Sequence, residues 1–270
     1  MKSFVMTLDL EADFSGALHE EYALLQSPQR IRSLLDFFEE RGVDLSVFAV
    51  GRLLTEFPEA IGLFERAGTE FHCHSHTHDP AATDSEPEIL ACRAAHLERF
   101  GKPPLGYRAP DGRITREGIR RLEKQGFKFD ASIFPSYYPN PFKYLFRRAK
   151  VHVYPGTGLV EIPNTPVSPL RLMLSLSYVK LLGWPLFRAV LERSRLPETV
   201  IFGSHLHDFY SDREAIERMP WFWKRLYGRN HDKGLDWMDE VVKFFEKRGY
   251  RFRFISEIYR DFESSRLRAE

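Results

Sequence analysis

Residues 70–79 read EFHCHSHTHD and place histidines at 72, 74, 76 and 78, four of the chain's 10 histidines within seven residues. Neutral imidazoles converging with a carboxylate are what a divalent metal needs, and zinc takes three protein ligands when one position stays open. On a helical turn a spacing of four presents two rings on one side, and two such pairs exist, His72/His76 and His74/His78. In a strand all four rings would face the same way. Spacing alone leaves the two pairs tied. Cys73 lies inside the run as a small packing residue or a soft ligand.

Three other stretches carry polar residues where apolar runs end. In TLDLEADF, Asp9 closes an apolar run and Glu11 lies two residues on, so both carboxylates point to one face. Burying them is costly without a cation beside them. In GYRAPDG, Pro110 keeps Ala109 out of a helix and fixes the chain after Arg108, which could hold Asp9 as a carboxylate by a bidentate contact. In SHLHD, His205 and His207 stand at another strand end, and a histidine there can give a proton to a leaving group.

The elements that must position these groups alternate. Residues 4–10 read as a strand, 31–41 as a helix with apolar residues at 31, 34, 35 and 38, and LSVFAVG as a buried strand. Helices are expected at 58–67, 86–100 and 116–125, with strand ends at GYRAP and within 126–132. TVIFGSHLHD reads as a strand with a polar tip, and LDWMDEVVKFFEKRGYRFRFISEIY as a helix, a stop at Gly249 and a final strand. Strands alternating with helices imply an α/β fold with a mainly parallel sheet. Residues 1–270 carry no linker that would mark a second domain. The segment 135–191 breaks the rhythm, with seven prolines between 135 and 169, and is expected to be an irregular insertion near the mouth of the sheet.

Composition narrows the classes. Of 270 residues 43% are hydrophobic and 29% charged, as in a soluble protein with a substantial core. The net charge of +1 gives no overall field for nucleic acid. Two cysteines, Cys73 and Cys92, exclude a disulfide framework and a cysteine-rich zinc module. The first apolar run meets Asp9 too early for a signal peptide, and 169–191 is interrupted by Arg171, Lys180, Pro185 and Arg188, so neither a leader nor a spanning helix is expected. The expectation is a cytoplasmic, reduced protein. Segment 169–191 leaves open a lid, a peripheral contact with a lipid carrier at the inner membrane face, or a helix packed on the fold.

Taken together and in order, MTLDLE, LSVFAVG, GTEFHCHSHTHD, GYRAPDG, GFKFDASIFPS, GLVEIP and TVIFGSHLHD resemble the polysaccharide deacetylase family, the NodB-homology or carbohydrate esterase family 4 group. The resemblance implies a distorted (β/α) barrel of about seven parallel strands, with a metal site at the C-terminal strand ends. It implies His74 and His78 as ligands, because they match the family's His-[Ser/Thr]-x-x-His motif. It implies Asp9 as base, Arg108 as its partner, His207 as acid with His205 as the alternative, and Asp130 as the carboxylate tuning that histidine. Leu10 stands where the family commonly has a metal-binding aspartate, so the role passes to Glu11, with Asp13 in reserve. Tyr107, Pro110 and Phe134 are expected to line the substrate site, Phe134 standing where many members have tryptophan. The implied reaction is removal of an N-acetyl or similar acyl group from an amino sugar, free, nucleotide-linked or lipid-linked, with one divalent ion, zinc. Hydrolysis of a non-sugar linear or cyclic amide and a non-catalytic carbohydrate-binding barrel are the alternatives.

Overall fold

The strand β1 (Lys2–Leu10) is buried along all but its first residue, which requires cover on both of its faces. Its side chains divide by parity. Phe4, Met6, Leu8 and Leu10 join the main apolar cluster under the helices, whereas Val5 faces a second cluster on the concave side of the sheet. Thr7 and Asp9 lie on that concave side too, towards the C-terminal end of the strand. The computed structural model describes residues 1–13, 22–136, 144–167, 171–210 and 212–268.

The remaining strands are β2 (Leu45–Ala49), β3 (Glu70–Cys73), β4 (Gly106–Tyr107), β5 (Phe129–Asp130), β6 (His152–Val153), β7 (Val160–Glu161), β8 (Pro166–Val167), β9 (Leu172–Met173), β10 (Thr199–His205) and β11 (Tyr250–Phe252). The main sheet runs β10-β1-β2-β3-β4-β5-β7-β6, with β11 beside the start of β1. Its first seven members are parallel, and only β6 runs antiparallel. The gap between β7 and β10 is bridged by loop backbone: Thr165 N donates to Ile201 O at 3.3 Å, and Ile201 N to Thr165 Oγ1 at 2.8 Å. The result is a curled, mainly parallel sheet of the NodB distorted-barrel type.

The helices form where apolar spacing expects them. Pro28–Glu39 buries Ile31, Leu34, Leu35 and Phe38, and Gly234–Glu246 buries Met238, Val241, Val242 and Phe245. Two regions differ from expectation. Within 135–191 the described residues hold four short strands and two helices, Leu176–Leu182 and Trp184–Glu192, and β7 is a full member of the sheet. Two-residue strands between prolines carry no readable alternation. Residues 137–143 and 168–170 of that segment lie outside the described residues. Leu174, Leu176, Val179, Phe187 and Leu191 pack into the main cluster, the third of the alternatives left open for 169–191.

The second difference is the helix Ile255–Leu267, where the sequence reads as a strand running on through ISEIY. Ile255 and Ile258 close the concave cluster from below. The first amides of this helix are met by side chains from β2 and β3, with Ile255 N donating to Ser46 Oγ at 3.0 Å and Ser256 N to Glu70 Oε1 at 3.1 Å. Alternation in RFRFISEIY hides this end, because the partners that cap it are some 200 residues away.

Asp130 and Glu161 are register partners on β5 and β7, both fully buried. The Tyr154 hydroxyl lies 2.8 Å from Asp130 Oδ2 and 2.7 Å from Glu161 Oε2. One hydroxyl proton cannot serve two carboxylates, so the pair is completed by a proton held between them. Burial pushes Asp130 up to about 6 against hydrogen bonds from Ser132 and Tyr154. Burial and the Asp130 charge push Glu161 well above the usual range. Asp130 touches neither His205 nor His207, so the tuning role expected of it is corrected: it belongs to this carboxyl pair.

Both folded pKa values are raised, so the stabilisation is full below the unfolded carboxyl range and is lost as pH rises through about 6 and beyond. Glu161→Gln keeps an acceptor for Ile133 N and supplies a permanent donor to Asp130. The melting temperature of this variant is expected to gain on the wild type from pH 5 to pH 8, by about 2–4 °C for each kcal/mol recovered. A pH-independent difference between the two melting curves would refute the shared-proton account.

Candidate active site

Asp9 and Glu11 leave the C-terminal end of β1 on the same side because Leu10 between them is drawn into the apolar cluster. Glu11 Oε2 lies 3.2 Å from His74 Nε2 and 2.7 Å from His78 Nε2. His74 Nδ1 lies 2.8 Å from the carbonyl oxygen of Arg108. A carbonyl only accepts, so Nδ1 carries the proton and Nε2 presents its lone pair towards Glu11. Burial would raise the Glu11 carboxyl, but the charge and hydrogen bond of His78, with the charge of His205, hold it well below the usual range. The ligand atoms of Glu11, His74 and His78 all lie within 4.8 Å of one another. Glu11 Oε1 is buried and accepts no hydrogen bond. One carboxylate, two imidazoles, that of His74 with a fixed tautomer, and an unused buried oxygen fit a divalent ion.

Asp13 is elsewhere. It accepts from Leu24 N at 3.1 Å and is outside the group of ligand atoms formed by Glu11, His74 and His78.

Neither a helix nor a strand brings His74 and His78 together. β3 ends at Cys73, and the chain turns through left-handed conformations at Ser75 (φ 57°) and His78 (φ 65°). Ser75 Oγ accepts from His78 N at 3.1 Å, and Glu88 Oε2 accepts from His76 N and Thr77 N, each at 2.8 Å. The end of β2 grips the other side, Gly51 N donating to Ser75 O at 2.9 Å and Arg52 N to His76 O at 3.1 Å. A Cβ at Gly51 would stand 2.7 Å from His76 Nδ1 and 2.9 Å from the Cys92 Cα, so only glycine lets these segments approach. His72 is inside the barrel, between the Phe48 and Phe129 rings and 3.1 Å from Glu70. The tie between the two histidine pairs is broken by the turn, for His74 and His78.

Arg108 follows β4 with 1% of its surface exposed, its guanidinium 4.0 Å from the centre of the Phe48 ring. Nη1 donates to Asp9 Oδ1 at 2.5 Å and to Thr7 Oγ1 at 3.0 Å, and Nε donates to Ala131 O at 3.2 Å. The expected bidentate contact is therefore a single one: Nε is committed to the Ala131 carbonyl just after β5, and Nη2 has no hydrogen-bond partner among the described residues.

His205 is the last residue of β10 and the register partner of Asp9. Its Nδ1 lies 3.2 Å from Asp208 Oδ2, which also accepts from His205 N at 2.9 Å, while Ser177 Oγ donates to the same carboxylate at 2.9 Å. Burial would lower the His205 pKa, but Asp208 and the Glu11 charge push it up to about 9. His207, the second residue of the helix Leu206–Phe209, stacks on His205 at 4.9 Å and meets Tyr227 edge-on at 5.3 Å. Burial, above all, pushes His207 down to about 3. His205, Asp208 and His207 also cluster closely, but the carboxylate is already engaged and Lys180 Nζ stands 3.1 Å from Asp208 O. A cation there opposes a second one.

These groups surround a cleft of about 280 Å³. Asp9, Glu11, His74, His78, Arg108 and His205 form its polar floor, and Phe134, Met173, Tyr178, Phe222, Trp223 and Tyr227 its apolar wall. Of the expected substrate residues Phe134 lines the cleft. Tyr107 does not: it is fully buried, its hydroxyl donating to Thr83 O. Pro110 is buried beneath Ala109 and Asp111, which line the cleft in its place. His207 is likewise behind the wall rather than on it. Residues missed by sequence reasoning are Glu88, Ser177, Lys180, Trp223, Tyr227 and Asp208. For Asp208 a signal existed, since it stands three residues after His205, the spacing of a carboxylate reaching back over a helix start.

Residues 21–129 match the family model described as Polysaccharide deacetylase. The resemblance to that family holds. The chain is 29% identical over 116 residues to the peptidoglycan deacetylase of Helicobacter pylori, an alignment covering 40% of each chain. It thus spans less than half the length of the curated relatives it matches, 40% and 31% of them. A Mycobacterium smegmatis protein assigned to the polysaccharide deacetylases superposes with a TM-score of 0.62 at 18% identity, covering 98% of this chain and 92% of the other. PuuE allantoinase superposes with a TM-score of 0.59 at 17% identity, covering 97% and 89%. These two likenesses concern the fold.

Glu88 reaches no cleft atom, yet it fixes the turn that sets both histidines. For a divalent ion held by Glu11, His74 and His78, Glu88→Ala is expected to weaken binding by about 10–100-fold, as loss of a ligand-orienting partner does. Competition with a chromogenic chelator reads this, with circular dichroism as the check on folding. An unchanged affinity would show that the turn holds itself.

Proposed function

We propose that the protein is a metal-dependent hydrolase that removes an N-acetyl or similar acyl group from an amino sugar. The observation that carries this reading is the convergence of Glu11, His74 and His78 with the Asp9–Arg108 pair and His205 around one cleft. Glu11, His74 and His78 would hold the ion, and two imidazoles with one carboxylate suit zinc. A divalent ion bound there supplies Lewis acidity for the amide carbonyl and the attacking water.

The chain's own groups supply the proton transfers. Asp9 takes a proton from the attacking water, while the Arg108 Nη1 bond at 2.5 Å fixes which carboxylate oxygen stays available. His205, not the expected His207, faces the cleft and gives its Nε2 proton to the departing amine nitrogen as the C–N bond breaks. Asp208 holds the ring for this step through Nδ1 and keeps it charged at neutral pH. The oxygen of water ends in the released carboxylic acid, and the sugar leaves as its amine. The aromatic wall suits a sugar ring, and a cleft near the small end of ligand pockets suits one residue rather than a polymer. We take the substrate to be a free or carrier-linked saccharide, nucleotide- or lipid-bound, on the cytosolic side.

Acetate release from a panel of N-acetyl sugars, with cyclic imides as the contrasting amides, tests the reading. Chelation is expected to abolish release and zinc to restore it. Asp9→Asn and His205→Ala are each expected to lower kcat by about 10²–10⁴-fold, the usual worth of a general base or acid. His207→Phe should stay within about tenfold of wild type, since its ring is behind the wall. Full activity in His205→Ala with loss in His207→Phe would reverse the assignment.

A further inference from the structure

Beside the cleft, and sharing Leu181 and Phe222 with it, lies a second, wider groove of about 730 Å³. Its charged lining is Arg213, Glu217, Lys224, Arg225, Arg229 and His231. Glu217, the sole carboxylate in that lining, is paired with Lys224. Arg213, Arg225 and Arg229 have no carboxylate partner among the described residues, although the protein as a whole is close to neutral. Three unpaired guanidiniums around one concavity repel one another unless an anion joins them, and guanidinium matches the oxygens of phosphate in pairs. On the same short helix, Trp221–Tyr227, Phe222 is 56% exposed and gives the groove an apolar edge, and its neighbour Trp221 is 76% exposed.

We propose that this groove is a subsite for the phosphate or diphosphate of a carrier to which the substrate sugar is joined. The inference rests on the deacylation of an amino sugar proposed above, and it assigns the part of the substrate that does not react. A sugar whose acyl-amide is held in the cleft directs its remaining substituents past Leu181 and Phe222 into the groove. Binding there uses groups remote from the reacting carbon to position it.

Titration calorimetry with inorganic pyrophosphate tests the subsite on wild type, on His74→Ala and on the triple variant Arg213→Ala, Arg225→Ala, Arg229→Ala. All three arginines are on the surface, so the triple variant is expected to fold, with circular dichroism as the check. Wild type and His74→Ala should bind alike, which separates the groove from anion capture by a metal, and the triple variant should bind at least tenfold more weakly. The same proteins with uridine diphosphate and with phosphatidylcholine vesicles carrying geranylgeranyl phosphate distinguish a soluble from a lipid carrier, and arginine-dependent binding of either supports the subsite. No binding by wild type, or binding by the triple variant within twofold of wild type, overturns it. Arginine-dependent anion binding without acetate release from any N-acetyl sugar, phosphorylated or not, overturns the deacylation instead.

Discussion

A buried guanidinium organises the site. Arg108 is 1% exposed, and its charge is answered by Asp9 at 2.5 Å. Nη1 also donates to Thr7 of β1 and Nε to the carbonyl of Ala131 just after β5, while its own carbonyl fixes the tautomer of His74. One residue thereby sets the orientation of the Asp9 carboxylate and the donor atom of a candidate ligand. Removing one partner of such a pair strands the other charge, at a cost of about 3–5 kcal/mol. The pair is thus a commitment of the fold and not an addition to it. Phe48 under the guanidinium and Thr7 beside it are what make the burial tolerable.

The concave side of the sheet is graded from end to end. At its N-terminal end, Ser46 and Glu70 receive the first amides of the helix Ile255–Leu267, and His72 adds its ring to the layer above. Apolar rings and branched chains fill the middle: Phe48, Phe129, Val160, Ile162 and Ile201. Above them come Thr7, Arg108 and Asp9, and then the groups that open to the cleft. Parallel strands make this grading possible, because every strand delivers its last residue to the same end. Polar groups at the lower end serve closure, and those at the upper end are left to face a substrate.

Legibility in the sequence followed how local the cause was. The strand–helix alternation rests on runs of a few residues and was readable there. The number of parallel strands and the choice of His74, His78 and Glu11 came only with the resemblance of the ordered motifs to a family, spacing alone leaving two histidine pairs tied. Tyr107 and Asp130 were misread because their neighbours come from distant segments, Thr83 for one and Tyr154 with Glu161 for the other. A motif gives such residues a position along the strand but not the side chain that will oppose them. Glu88 was invisible for the same reason. Its carboxylate lies in the first turn of a helix, where acidic residues are commonplace, and only the folded loop shows that it accepts three hydrogen bonds from residues 76 and 77. Glu11 was the converse case. The family resemblance gave it the metal role with Asp13 in reserve, and residues 9, 11 and 13 share one parity, so alternation could not choose. The folded chain sets Glu11 beside both rings and Asp13 against Leu24 N.

His205 and His207 show how far two identical side chains can be separated by one intervening residue. His205 ends a strand, so its ring leaves the sheet into the cleft and meets Asp208 from the following turn. His207 is already helical, and the change of backbone turns its ring into the wall against Tyr227. Asp208 is close enough to influence both, yet it hydrogen-bonds only His205 Nδ1, and the charge thus stabilised makes a second one on the stacked ring costlier. Burial does the rest, and the two pKa values part to about 9 and about 3. At neutral pH one ring is charged and the other is a flat, uncharged support behind it. The division of labour comes from where the strand stops, since a strand one residue longer would carry His205 past the end of its ladder with Asp9 and loosen the turn that brings Asp208 back.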